Sequence, residues 1–392
     1  MPRSLPKFAD PVLITGTAAL AALCTRLRAE PYVTIDTEFM RERTYFPELC
    51  VVQLAGVDDV AVIDAEAAGI DLAPLGELLA DTAVVKVFHA ARQDVEIFLE
   101  LFGQVPAPIF DTQVAAMVAG FGDQVGYDAL VSSLTGGQID KAHRFSDWSA
   151  RPLSSAQVTY AAADVTYLRG VYERLQDRLQ RDGRMEWVAE EMAVLAQPET
   201  YRPDPEGLWE RLRPRSSNRR MLGMLRAATA WREREAQRVN IPRGRLLKDE
   251  SLLEIAAVAP TTVDALARIR GVNRGFAEGK SGVGLVAALQ AAAALPEDAL
   301  PEPPSRKDNL RASPALVSLL KVLLAAKCEE HNVAAKLVAS SDDLDRLAGE
   351  DAPDVPALHG WRREVFGADA MLLKAGGITL GVDGKRIKLV RV

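Results

Sequence analysis

The stretch Val33-Thr34-Ile35-Asp36-Thr37-Glu38-Phe39 sets two carboxylates two positions apart at the end of an apolar, β-branched run. On a strand, side chains at i and i+2 share a face, so Asp36 and Glu38 are predicted to stand side by side. Crowding two like charges away from water is costly unless a cation is shared between them. Hard divalent ions take oxygen ligands of this kind, and two such ions about 3.5–4 Å apart clamp an in-line displacement at phosphorus. The pair therefore predicts the beginning of a two-metal-ion site, which acids from other elements must complete. Asp94 and Asp164 are the candidates, one at the start of a helix after a valine-rich segment and the other on a long helix. Tyr160 precedes Asp164 by one helical turn on the same face. An ordinary phenol pKa of about 10 makes it a poor base, so its predicted role is to orient a water.

The elements that must position these groups are legible in the pattern of apolar residues. Thr17 to Arg28 has the spacing of a short amphipathic helix, and Tyr32–Asp36, Leu49–Ala55 and Asp59–Asp64 read as three strands of a meander. A helix over Leu72–Leu79, a strand over Ala83–Phe88 and a helix over Arg92–Phe102 follow. Asp111 or Thr112 caps a helix through Val118, and Ser154 caps a long one through Leu179. Asp64, Asp111 and Asp147 read as turn or cap residues. The fold class expected is α/β, a mixed sheet flanked by helices, followed by all-α domains. Prolines near 197–204 and 296–309 mark boundaries, which divides the chain into 1–197, 205–295 and 310–392. At its end, Ile378 to Val390 alternates about an Asp-Gly turn and predicts a β-hairpin.

Composition narrows the class. At 392 residues with 48% hydrophobic and 6% aromatic content, the chain exceeds one ordinary core. No run approaches the roughly 18 apolar residues of a membrane span, and three scattered cysteines suit a reducing, cytoplasmic setting. The net charge of −7 is unevenly spread: Arg202 to Lys248 holds 13 Lys and Arg against 5 Asp and Glu, a local +8 that leaves −15 elsewhere. Such a division suits an enzyme that grips phosphate in one place and holds metal in another.

Taken together, the motifs resemble a known family. Ile35-Asp-Thr-Glu38-Phe, Phe88-His-Ala-Ala-Arg-Gln-Asp94 and Tyr160-Ala-Ala-Ala-Asp164 are similar to the three ordered exonuclease motifs of the DEDD superfamily, in its tyrosine-bearing branch. Thr44-Tyr-Phe-Pro, Phe110-Asp-Thr-Gln, Gly122-Asp-Gln-Val-Gly-Tyr, Asp147-Trp-Ser and Arg151-Pro-Leu-Ser extend the resemblance to the ribonuclease D family. It implies an RNase H-like catalytic domain followed by two HRDC-type helical domains, and the hairpin read at the end of the last departs from the pattern of those domains. It also implies 3′-to-5′ exoribonuclease activity that releases nucleoside 5′-monophosphates from tRNA precursors, with two Mg²⁺ or Mn²⁺ ions. A monomer without a protein partner is expected. By motif position Asp36, Glu38 and Asp164 hold the ion that activates water, and Asp36 bridges to a second ion supported by Asp94. Phe39, Met40 and Gln53 are expected to contact the terminal nucleotide, with His89, Lys141 and Trp148 as further substrate contacts. Two rivals stand beside this reading: a DNA-directed exonuclease of the same fold, and a nucleic-acid-binding adaptor with vestigial acids.

Overall fold

A computed structural model describes residues 10–140, 142–143, 146–214, 216–303 and 313–392. These fall in two compact units, the first drawn from 1–39, 49–201 and 309–392 and the second from 40–48 and 202–308.

The first unit is built on a six-stranded sheet. Its strands are β1 (Val12–Ile14), β2 (Tyr32–Met40), β3 (Glu48–Ala55), β4 (Val60–Asp64), β5 (Val85–Phe88) and β6 (Ile109–Asp111), in the order β1-β4-β3-β2-β5-β6. β3 runs antiparallel to β4, while β1 is parallel to β4, and β5 is parallel to both β2 and β6. The predicted meander is present. Two short edge strands, β1 and β6, were not expected, since three residues each give too little alternation to read. Helices α1 (Thr17–Leu27), α2 (Ala73–Ala80), α3 (Arg92–Phe102), α4 (Thr112–Val118), α5 (Tyr127–Thr135), α6 (Ser155–Arg181) and α7 (Met185–Leu195) complete this part. Val33, Ile35, Val52, Leu54 and Ile63 of the sheet are sealed from solvent against Leu20 and Leu27 of α1 and Leu168, Val171 and Leu175 of α6. The Ser154 cap is as expected: its hydroxyl accepts from the Gln157 amide and the Gln157 side chain returns to the Ser154 amide, a reciprocal arrangement that satisfies two orphan donors.

One strand residue departs from the apolar pattern. Lys86 in β5 is wholly buried, and its ammonium donates to the carbonyls of Asp81, Val84 and Ala107 at 2.6, 2.7 and 2.5 Å. Burial pulls its pKa down to about 8, and the charge of Asp81 opposes that loss by favouring the charged form. Lys86→Met is expected to destabilise the protein by about 3 kcal/mol in urea denaturation, because three acceptors lose their donor at once. An unchanged denaturation midpoint would show that water replaces the ammonium.

The C-terminal helices pack with the sheet unit. α14 (Pro314–His331), α15 (Ala335–Val338), α16 (Ser341–Gly349), α17 (Gly360–Arg362) and α18 (Ala368–Lys374) surround a core of Leu320, Leu323, Trp361 and Phe366. Trp187 of α7 stacks on Trp361 with centroids 4.7 Å apart, and buried Glu191 accepts from the Trp361 indole and from Arg362. Arg184 donates to the carbonyls of Val118, His331 and Asn332. The chain closes with β7 (Ile378–Asp383) and β8 (Arg386–Arg391), the expected antiparallel hairpin. Its turn differs from the Asp-Gly reading by one residue. Asp383 pairs with Arg386, so Gly384-Lys385 form the two-residue loop, with Gly384 in the left-handed region at φ +62°.

The second unit is helical: α8 (Arg219–Arg238), α9 (Arg243–Leu246), α10 (Asp249–Val258), α11 (Val263–Leu266), α12 (Arg274–Glu278) and α13 (Lys280–Ala293). Residues 40–48, which leave β2, fold with it. The Tyr45 hydroxyl meets buried Glu233, and Gln237 and Arg243 donate to it at 3.1 and 2.9 Å. The amides of Tyr45 and Phe46 both donate to Asn240 Oδ1 at 3.0 Å. Much of the basic segment is internally neutralised. Arg219, Arg220, Arg226, Arg232, Arg234, Arg238 and Arg243 pair with Glu302, Glu297, Glu206, Asp249, Glu206, Glu235 and Glu233 respectively.

Candidate active site

β2 delivers Asp36 and Glu38 from its half-buried end, and α6 delivers Asp164 to the same cleft. Carboxylate oxygens from Asp36, Glu38 and Asp164 all lie within 4.8 Å of one another. The cleft is lined by these three together with Thr37, His89, Gln113, Tyr127 and Tyr160, among others, and none of its described lining residues is Lys or Arg. The strand is four residues longer than predicted. That length carries both acids on strand backbone, because β-branched Thr37 and aromatic Phe39 extend the strand-favouring run Val33-Thr34-Ile35.

Three carboxylates so placed repel. Burial, then the charges of Asp164, Asp94 and Glu38, push Asp36 well above the ordinary carboxylate range. Glu38 rises to about 8 through burial and the charges of Asp164 and Asp94. Burial also lifts Asp164 to about 7. Such a group either keeps protons or takes a cation. All of its donors are hard carboxylate oxygens, so the chemistry fits Mg²⁺ or Mn²⁺ rather than a softer ion.

Asp94 stands apart from the group of three. It is buried near the start of α3, its Oδ1 accepts from Thr37 Oγ1 at 2.5 Å, and burial raises it to about 7 despite that bond. Its charge reaches Asp36 and Glu38, but its oxygens are outside the converged set. Thr37, the residue between the two strand acids, was not read from the sequence as functional. Its hydroxyl donates to Asp94 and holds that carboxylate in place.

Tyr160 lines the cleft one turn before Asp164, between the rings of Trp148 at 6.1 Å and His143 at 6.3 Å. Trp148 is 3% exposed, so its face is given to Tyr160 and no base can stack on it. This corrects its expected role as a substrate contact. Gln53 is corrected too: it is fully buried in β3, where it cannot meet a nucleotide. Phe39 packs partly buried against the sheet core, Met40 is half-buried at the strand end, and neither lines the cleft. Lys141 lies outside the described residues.

His89 does line the cleft. Its Nδ1 lies 3.0 Å from Thr112 Oγ1, whose own proton goes to the Phe88 carbonyl at 2.9 Å, so Nδ1 is the donor of that pair. The turn after His89 holds Ala90 at φ +59°, and it is pinned by Asp111, which accepts from the amides of Ala90, Ala91, Gln113 and Val114. Asp111 is thus the cap predicted and more. Asp64, expected at a turn, also does more than close one. It is buried, its two oxygens share the Arg151 Nε hydrogen at 2.9 Å, and Oδ1 also accepts from Nη2 at 2.7 Å. Tyr127 was missed as a site residue. Its hydroxyl donates to the Asp164 carbonyl at 2.6 Å and so fixes the α6 turn that carries the acid. The Gly-Tyr step before α5 was its only signal.

Comparisons with known proteins agree with this geometry. Residues 11–180 match the family model described as 3′-5′ exonuclease, and residues 221–289 match the HRDC domain. The chain is 71% identical over 383 residues to ribonuclease D of Gluconacetobacter diazotrophicus, covering 98% of each chain. It is also 71% identical to the ribonuclease D of Granulibacter bethesdensis, over 99% of this chain and 98% of the relative. Among solved structures, the Escherichia coli RNase D crystal structure superposes with a TM-score of 0.81 at 30% identity, covering 93% of this chain and 99% of that one. With nearly the whole length of both relatives aligned and the acids of separate elements gathered in one cleft, the chain belongs to the ribonuclease D family.

Proposed function

We propose that this chain is a metal-dependent 3′-to-5′ exoribonuclease that trims the 3′ ends of tRNA precursors and releases nucleoside 5′-monophosphates. The observation that carries the reading is the convergence of Asp36, Glu38 and Asp164 in a cleft whose described lining offers no Lys or Arg. The RNA class is supported by the relatives' name and by the Escherichia coli enzyme, described as an exoribonuclease involved in structured RNA processing.

Asp36, Glu38 and Asp164 would hold one divalent ion, and Asp36 with Asp94 would serve a second. Bound there, such ions supply an acidified water and neutralise charge developing on the leaving oxygen. The chain's own groups arrange what surrounds them. Thr37 fixes Asp94, Tyr127 fixes the turn of Asp164, and the Tyr160 phenol, held between Trp148 and His143, orients the attacking water. His89 is the one candidate substrate contact that borders the cleft among the described residues. A catalytic domain over 1–197 and helical domains over 205–295 and 310–392 act together as a monomer in the cytoplasm. Among the described residues no helix is long and apolar enough to cross a membrane.

The test is incubation of the purified protein with 3′-extended tRNA and with single-stranded DNA, in Mg²⁺ or Mn²⁺ and in chelator. Nucleoside 5′-monophosphate should leave the RNA in metal and not in chelator. Release from DNA alone would transfer the reading to a DNA exonuclease, and release from neither would defeat it.

A further inference from the structure

The catalytic reading leaves the terminal hairpin without a role, and its side chains are not those of an inert closure. Lys385, Arg386, Lys388 and Arg391 face one acid, Asp383, so this short element carries +3 in a chain of net −7. Among the described residues none of these four cations has an ion-pair partner. The contrast is with α8 and its surroundings, where seven arginines are already paired with glutamate or aspartate.

Register gives the cations a surface. With Thr379 opposite Val390, Gly381 opposite Lys388 and Asp383 opposite Arg386, these six side-chain positions share one face of the ribbon. The other face holds Ile378, Leu380 and Leu389, which pack on the core of α14–α18. It continues outward to Val382 and Ile387, 78% and 37% exposed, so the tip projects past the core that supports its base. Lys388 has glycine for its cross-strand neighbour and therefore no side chain to cover it. Arg386 and Lys388 are separated along β8 by two residues, roughly 7 Å, a spacing comparable to that of successive phosphates on a nucleic acid strand.

We propose that the β7–β8 ribbon is a docking surface for the phosphate backbone of the RNA body, reached through Lys385, Arg386 and Lys388, away from the 3′ end being cut. This rests on the exoribonuclease reading for its choice of polyanion. Charge complementarity selects phosphate, and the lack of any aromatic side chain on the ribbon excludes stacking on bases, so the contact is sequence-independent. Its consequence is a preference for structured RNA over short oligonucleotides that does not involve the cleft.

The experiment combines Lys385→Ala, Arg386→Ala and Lys388→Ala and measures binding of 3′-extended tRNA at several salt concentrations, in chelator so that no RNA is hydrolysed. Each phosphate contact contributes about 0.7–0.9 to the slope of log affinity against log salt. The triple variant is expected to lose about tenfold in affinity at low salt and about 2 from that slope. Its rate on a four-nucleotide RNA in metal should equal wild type. A charge-preserving pair, Arg386→Lys with Lys388→Arg, should bind tRNA as wild type does, which separates charge from folding. Unchanged affinity and slope in the triple variant would overturn the proposal, as would an equal loss on the short RNA or concentration-dependent self-association through the ribbon. Because binding is read without metal, absence of hydrolysis in the parent protein would defeat the catalytic reading and leave this result standing.

Discussion

Asp36→Ala and Asp164→Ala are each expected to slow nucleotide release from 3′-extended tRNA by about a thousandfold or more, with little change in RNA affinity. Ions at such a site contribute several kcal/mol to the barrier, and each 1.36 kcal/mol is tenfold in rate. Either substitution removes one of the three converged carboxylates, and Asp94 lies outside that set. The variants should fold. Asp36 is held well above the ordinary carboxylate range by burial and by its neighbours' charges, so its removal relieves repulsion in the metal-free protein. The thermal midpoint in chelator is therefore expected to hold or rise while activity collapses. Tyr160→Phe keeps the ring contacts with Trp148 and His143 and should cost about a hundredfold, the scale of one group positioned for proton traffic. Single-turnover rates and filter binding would check both points, and wild-type rates in either Asp variant would place the chemistry elsewhere.

The second large effect is on stability. In the metal-free protein Glu38 lies at about 8 and Asp94 and Asp164 at about 7, all raised chiefly by burial, against an unfolded value of about 4. Between those limits the folded chain binds more protons than the unfolded one, so stability must fall as pH rises. Thermal melts in chelator are expected to give a midpoint several degrees lower at pH 8.5 than at pH 5.5. Added Mg²⁺ or Mn²⁺ should reverse the order of benefit, raising the midpoint most at pH 8.5. Binding displaces the protons, and affinity gains up to about tenfold per pH unit for each proton displaced. A metal-induced shift that does not depend on pH would mean that these carboxyls are already ionised without metal.

The ribbon separates two kinds of basic residue that look alike in sequence. From Arg202 to Lys248 the local balance of +8 suggests a gripping surface, yet acids of the same unit meet more than half of its arginines. Glu297 and Glu302, which pair with Arg220 and Arg219, lie some 80 residues away along the chain, beyond any local charge count. The four cations of the hairpin look weaker by number, yet all four are exposed and have no ion-pair partner among the described residues.

What the sequence determined by itself was the set of chemical groups and most of the elements that carry them. Asp36 and Glu38 share a face because strand geometry alternates with period two, and Tyr160 and Asp164 do so because a helix turns in 3.6 residues. Both are local consequences of backbone geometry. Local signals also placed the Ser154 and Asp111 caps, since a cap is a bond across two or three residues. Tertiary structure alone decided which candidates meet. Trp148 and Gln53 have polar-capable side chains in suggestive positions, but packing buries both, and burial depends on residues distant in the chain. The same holds for Thr37 and Tyr127. Nothing in their spacing marks them, yet the sheet and α6 bring one to Asp94 and the other to the backbone of Asp164. Periodicity records which face a side chain occupies, and only the packed fold records what that face meets.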